Sequence, residues 1–96
     1  MRFVFADAKL RTLYLTGRSK LHADVSRAFF RVMAQIDQAI DERDLYALKG
    51  LHYEKLKGDR AGQRSLRLNR WFRLIVELQE DDAGRFLKIM EIVDYH

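Results

Sequence analysis

Apolar side chains fall on alternate residues from Leu66 to Leu78. Leu66, Leu68, Phe72, Leu74, Val76 and Leu78 occupy even positions, while Ser65, Arg67, Asn69, Arg73, Glu77 and Gln79 occupy odd ones. A period of two is the signature of strand with one face in a core and the other open. The stretch 64–79 is too long for one ordinary strand, so a turn must interrupt it near Asn69-Arg70-Trp71. A two-residue loop would put Leu66 and Arg73 on one face. A three-residue loop pairs Leu68 with Phe72 and Arg67 with Arg73, and that register is the one expected. Glu80 to Gly84 reads as a second hairpin turn, Phe86 to Val93 as the strand after it, and residues 2–5 as a short first strand.

Before Gly50 the period is helical. Leu10, Leu13 and Tyr14 share one face of a short helix over residues 6–16, with Gly17 where a C-terminal cap belongs. Leu21, Val25, Phe29, Val32, Ile36 and Ile40 recur every three or four residues and predict a long helix from about Ser19 to Glu42. Few residues join the two, so they should form a helical hairpin. The fold class expected is α+β, with that N-terminal hairpin packed on one face of a small, mainly antiparallel sheet.

A chain of 96 residues has room for one domain, expected to span residues 1–96. The absence of cysteine excludes disulfide scaffolds, thiolate metal sites and cysteine nucleophiles. No apolar run approaches the ~18 residues of a membrane span, and the early charges of Met1-Arg2-Phe3-Val4-Phe5-Ala6-Asp7 do not suit a signal peptide. A soluble cytoplasmic protein is expected.

The net charge of +4 is modest, but its distribution is uneven. Residues 49–76 hold eight basic and two acidic side chains, against two basic and six acidic in residues 77–96. Lys49, Lys55, Lys57, Arg60, Arg64, Arg67, Arg70 and Arg73 are interleaved with His52, Tyr53, Trp71 and Phe72. Cations with stacking faces suit nucleic acid, and a solvated surface paired with acids elsewhere would have the same composition.

Gly58-Asp59-Arg60-Ala61-Gly62 lacks the Gly-Lys-Ser/Thr of a phosphate loop and reads as a tight turn between strands. His22, His52 and His96 have no metal-ligand spacing, so neither metal nor cofactor is expected. The alternation puts Arg67 and Arg73 side by side on the face away from the helices, with Lys55 and Lys57 in register on the preceding strand. Two such cations repel unless an anion lies between them, either a ligand or the acids Glu77 and Glu91. The sequence also stops at Val93-Asp94-Tyr95-His96, where a continued strand would place Asp94 and His96 on one face and Tyr95 on the other.

These segments resemble a known family. Phe5-Ala6-Asp7-Ala8-Lys9-Leu10 through Leu13-Tyr14 to Gly17, Asp44-Leu45-Tyr46-Ala47-Leu48-Lys49-Gly50, Leu56-Lys57-Gly58-Asp59-Arg60-Ala61-Gly62, Ser65-Leu66-Arg67-Leu68-Asn69, Arg73 and Glu91-Ile92-Val93-Asp94-Tyr95-His96 look like the HigB toxins of the RelE/ParE superfamily. Lys49 stands where the family often has proline, and Trp71 where it often has glutamine.

The resemblance implies a ribosome-dependent mRNA endoribonuclease, neutralised by a HigA-like helix-turn-helix antitoxin and meeting operator DNA only through it. Lys55, Lys57, Arg60, Arg64, Arg67, Arg70 and Trp71 would then meet RNA. RNA is cut without metal when its own 2′-hydroxyl is deprotonated, the phosphorane charge is stabilised and the leaving oxygen is protonated. Arg73, with Arg67, suits the charge, because guanidinium offers paired donors and stays protonated. Asp94 and His96 suit proton transfer, Tyr95 suits stacking or positioning if a bulge gathers the chain end, and His52 is a further candidate. The superfamily also contains ParE toxins, which inhibit DNA gyrase by binding, and a plain RNA-binding module would share the basic block.

Overall fold

A computed structural model of the protein describes residues 1–94, so Tyr95 and His96 lie outside the described residues. The chain runs through strand β1 (Phe3–Phe5), helices α1 (Ala8–Thr16), α2 (Ala23–Gln38) and α3 (Glu42–Ala47), then β2 (Glu54–Lys55), β3 (Gln63–Arg67), β4 (Phe72–Asp81) and β5 (Gly84–Asp94). Short 3-10 turns at Lys49–Leu51 and Gly58–Arg60 flank β2.

Helix α1 begins where the Asp7 carboxylate accepts the backbone N–H groups of Lys9 and Leu10, at 2.7 and 3.1 Å. It ends at Gly17, whose φ of 74° lets its N–H turn back onto the Leu13 carbonyl at 2.8 Å, a conformation that costs a residue with a Cβ. Helix α2 buries Val25, Ala28, Phe29, Val32, Met33 and Ile36.

The expected helix over residues 19–42 is too long at both ends. Leu21 precedes α2 and is 37% exposed, and Ile40 follows it and is 85% exposed, although both kept the helical spacing. The chain breaks because two side chains start a new helix. Asp41 accepts the Arg43 N–H at 2.9 Å and Asp44 accepts the Ile40 N–H at 2.8 Å, which fixes the start of α3. That six-residue helix is absent from the sequence reading.

The sheet order is β1-β5-β4-β3-β2, antiparallel throughout except for parallel β1 and β5. The expected α+β architecture, with a mainly antiparallel sheet, is the one observed. Leu66, Leu68, Leu74, Val76, Leu87 and Ile89 share one buried cluster with Leu10, Leu13 and the apolar stripe of α2. Each fully buried side chain of this kind contributes about 1.5–3 kcal/mol, so this face fixes the register. The α1 and α2 helices meet through the stacked rings of Tyr14 and Phe30, 6.3 Å apart.

The three-residue loop forms as the alternation requires: Arg67 is opposite Arg73, and the Leu68 N–H reaches the Phe72 carbonyl at 3.0 Å. The next hairpin is tighter than expected, with pairing carried to Asp81 and Gly84.

Strand β5 has one irregularity. Ile75 pairs with Glu91, whereas its neighbour Val76 pairs with Ile89, so Met90 is an extra residue in a β-bulge. Before the bulge odd residues of β5 face the helices, as Leu87 and Ile89 do. After it even residues do, because Ile92 stands opposite Leu74 and Asp94 opposite Phe72.

Candidate nucleic-acid interface and active site

The face of the sheet turned from the helices carries Ser65, Arg67, Arg73, Ile75, Glu77, Glu91 and Val93. It is less open than the alternation suggests, since Ser65 is 1% and Ile75 2% exposed. Part of the cover is the loop between β2 and β3. Gly58 and Gly62 hold φ of 66° and 92°, and the loop brings Arg60 across to Glu91, 3.6 Å away on β5. Arg60 also donates to Gln63 Oε1 at 2.9 Å, Gln63 donates to Glu77 Oε1 at 3.2 Å, and Gln79 donates to Glu77 Oε2 at 3.0 Å.

These bonds engage both acids that flank Ile75 on this face of the sheet. Glu91 is taken by Arg60 and Glu77 by two glutamines. The Arg73 guanidinium donates to the Asn69 carbonyl at 3.3 Å, whereas the Arg67 guanidinium makes no hydrogen bond or ion pair among the described residues. Val93, the neighbour of Asp94, stands opposite Arg73 on the third strand, so Arg67, Arg73 and Val93 form one row.

Asn69 organises the loop beside that row, a role the sequence reading missed. Its side-chain oxygen accepts the N–H groups of Trp71 and Phe72, both at 2.9 Å, in the manner of an Asx turn. Its own carbonyl steadies Arg73. The loop displays Arg70 against the Trp71 ring, 4.8 Å from its centroid, with both side chains exposed. An Asn two residues past the end of β3, at the head of the turn, was the available signal.

His52 follows the 3-10 turn at Lys49–Leu51 and enters β2. Because Glu54 pairs with Ser65 in an antiparallel ladder, the chain before Glu54 lies toward the Arg67 end of β3. Leu51 and Tyr53 are buried on either side, and His52 is exposed with a φ of 46°, the left-handed region that residues with a Cβ seldom adopt. Among the described residues it is the one non-glycine with positive φ.

Other basic residues lie elsewhere. Lys55 is opposite Arg64, not in register with Arg67 and Arg73, because β2 begins at Glu54 opposite Ser65 and runs away from their row; Lys57 lies past the strand, at the start of the 3-10 turn. Both are exposed. Arg64 faces the helices, where its Nε donates to Glu42 Oε2 at 2.7 Å, with only 13% and 16% of the two side chains exposed. The Tyr53 hydroxyl donates to the same oxygen at 2.6 Å, and burial together with that bond pushes its pKa well above the ordinary phenol value. The trio ties α3 to β3.

Asp94 is exposed at the end of β5, opposite Phe72, and the bulge turns it to the helix side of the sheet, so Val93 and not Asp94 shares the face of Arg67 and Arg73. The expected placement of Tyr95 and His96 falls outside the described residues. Among the described residues, no three His, Asp or Glu side chains are grouped to hold a metal ion, and no helix is long and apolar enough to cross a membrane.

Solved structures share this fold at low identity. The chain is similar to a YoeB/ParE toxin from Agrobacterium tumefaciens, with a TM-score of 0.61, 17% identity and full coverage of both chains. YafQ from E. coli matches with a TM-score of 0.62 and 14% identity, over 98% of this chain and 93% of that one. A YoeB-YefM complex from Staphylococcus aureus matches with a TM-score of 0.57 and 20% identity, over 100% and 97%. No curated protein matches in sequence. A family model, the RelE-like toxin of type II toxin-antitoxin system HigB, matches residues 3–96, so the chain belongs to the HigB family of type II toxins.

Proposed function

We propose that this toxin is a ribosome-dependent mRNA endoribonuclease, working without a metal ion and neutralised by a HigA-like helix-turn-helix antitoxin in the cytoplasm. The observation that carries the reading is the arginine row: Arg67 and Arg73 are cross-strand partners on the sheet face turned from the helices. Two guanidinium groups so placed suit a phosphate that gains charge as it becomes pentacoordinate.

In the proposed reaction the RNA 2′-oxygen loses its proton and attacks the adjacent phosphorus. The bond from phosphorus to the 5′-oxygen breaks, that oxygen takes a proton, and a cyclic phosphate and a 5′-hydroxyl result. Arg67 and Arg73 bind the non-bridging oxygens. Asp94, His96 and His52 are the candidates for the two proton transfers, and Tyr95 for stacking or positioning. Lys55, Lys57, Arg70 and Trp71 extend the contact to message and ribosomal RNA, with Arg60 at its margin. Membership of a RelE-like toxin family and the solution of a similar toxin as a YoeB-YefM complex support the antitoxin partner.

Mapping of 5′ ends after brief expression, together with cleavage of message in a programmed ribosome, tests the reading. New ends within translated messages are expected. Growth arrest with intact messages and altered supercoiling would identify a gyrase inhibitor instead.

A further inference from the structure

We propose that Arg60 straps down a closed subsite on the sheet face turned from the helices, floored by Ser65 and Ile75, and that this subsite takes the base of the message nucleotide beside the scissile phosphate. The proposal deepens the nuclease reading above and rests on it.

Two buried residues lie where the helices do not reach. Ser65 and Ile75 are cross-strand partners on that face, 1% and 2% exposed. Among the described residues Ile75 is the one buried apolar side chain outside the main core cluster. The Ser65 hydroxyl is buried opposite it and has no hydrogen-bond partner among the described residues. A buried hydroxyl left unpaired is costly, and folded proteins keep few of them.

One side chain holds the cover in place. Arg60 donates to Gln63 on β3 at 2.9 Å and pairs with Glu91 on β5 at 3.6 Å. Its guanidinium therefore spans β4, where Glu77 is the partner of Gln63 and Ile75 the partner of Glu91. The hold is weak, because the Arg60 and Glu91 side chains are 42% and 46% exposed and an ion pair so open to water contributes little. A phosphate offers the guanidinium paired oxygens and a stronger bond, so arriving message draws Arg60 from Glu91. Gly58 and Gly62, both at positive φ, bracket the segment that carries Arg60, and the Leu56 N–H closes its base on the Gln63 carbonyl at 3.0 Å. Glycine lets the backbone turn at both points, so the strap lifts while its base stays closed.

Ser65 and Ile75 each stand two residues from an arginine of the row, Arg67 and Arg73, which is about 7 Å along a strand. A nucleotide whose phosphate lies on the row reaches that far with its base. Ile75 then meets the face of the ring, and the Ser65 hydroxyl, both donor and acceptor, meets a polar edge.

The chain contains no cysteine, so Ser65→Cys places a single thiol beneath the strap. In the free toxin that thiol should react slowly with a small maleimide, and adding Glu91→Gln, which releases Arg60, should speed labelling at least about tenfold. Ser65→Ala should leave Tm unchanged or raised, because the hydroxyl is unpaired, yet lower kcat/KM on a ribosome-bound message by about three- to tenfold and change the bases found beside the cut. Labelling that is fast already in the free toxin, or equally slow with Glu91→Gln, overturns the strap. Cleavage by Ser65→Ala at the wild-type rate and at the same bases overturns the subsite, and a joint loss of stability and cleavage makes the hydroxyl structural and overturns it too. All of these leave the nuclease reading intact. A wild type that cuts no message defeats that reading, and the subsite with it.

Discussion

Arg67 and Arg73 are direct partners across the β3–β4 ladder, two full positive charges held side by side next to a tight turn. At the ~5 Å typical of such pairs, like charges repel by about 1–3 kcal/mol for effective dielectrics between those of water and a protein surface. The fold tolerates this because the core on the other face fixes the register. Leu66 opposite Leu74 is fully buried, and a slip by one residue would bring it to the surface. An anion placed between two such groups offsets their repulsion.

Arg67→Ala and Arg73→Ala should each reduce cleavage by about 10²–10³-fold, the usual effect of removing one donor to a developing oxyanion. Thermal stability should change little, because both side chains lie on the face turned from the main core. Single-turnover cleavage of a ribosome-bound message alongside melting curves checks both. Normal cleavage by either variant would make that arginine a solvated surface group.

Asn69→Ala tests the loop rather than the chemistry. It removes two side-chain hydrogen bonds at the turn, worth together about 1–3 kcal/mol, and frees the segment that carries Arg70, Trp71 and the carbonyl holding Arg73. Weaker message binding and a moderate loss of stability are expected. Asn69→Asp keeps the accepting oxygen and should restore most of the stability.

The sequence carried the fold further than the site. Alternation from Leu66 to Leu78 was enough to place the β3–β4 turn and pair Arg67 with Arg73, because burial of one face admits a single register. Periodicity failed where polar side chains overrode it: Leu21 and Ile40 keep the helical spacing, yet Asp41 and Asp44 fix the start of a new helix at Glu42–Ala47. Arg64 shows the corresponding failure within the site. In sequence it is one cation of a basic block, and only the fold brings Glu42, 22 residues away, to meet it. Charge composition cannot separate a cation facing solvent from one buried with its counterion.

The Glu42 junction makes a prediction in stability and in pH. Glu42→Gln removes a mostly buried charge from Arg64 and should destabilise the protein by about 2–3 kcal/mol, between the values for exposed and buried pairs. Tyr53 gives the alkaline limit. Its folded-state pKa lies above the unfolded value of ~10, so its contribution is complete below pH ~10 and is lost as the pH rises beyond it, where the unfolded chain releases the proton first. Wild type should therefore lose stability more steeply above pH ~10 than Tyr53→Phe. Parallel denaturation curves of the two proteins would refute this attribution.

The bulge at Met90 supports the sharpest separation of fold from function. On β5, Leu87 and Ile89 face the helices before the bulge, and Ile92 does so after it. Deleting Met90 would leave Ile89, Glu91, Ile92 and Val93 in regular alternation, with every side chain on its present face. The core should survive, at a cost of about 1–2 kcal/mol for the lost side chain and shortened strand. What changes is the bend and extra twist that a bulge gives to the strand beyond it, and so the aim of the end of β5 past Val93, the residue opposite Arg73. Message binding through Arg67 and Arg73 should persist while the chemical step falls by at least about tenfold, since misplacement of reacting groups by an ångström can cost more than that. Binding and single-turnover rates on the same message separate the two. An unchanged rate would show that the bulge only accommodates the sheet's twist, and that the end of β5 does not need its present aim.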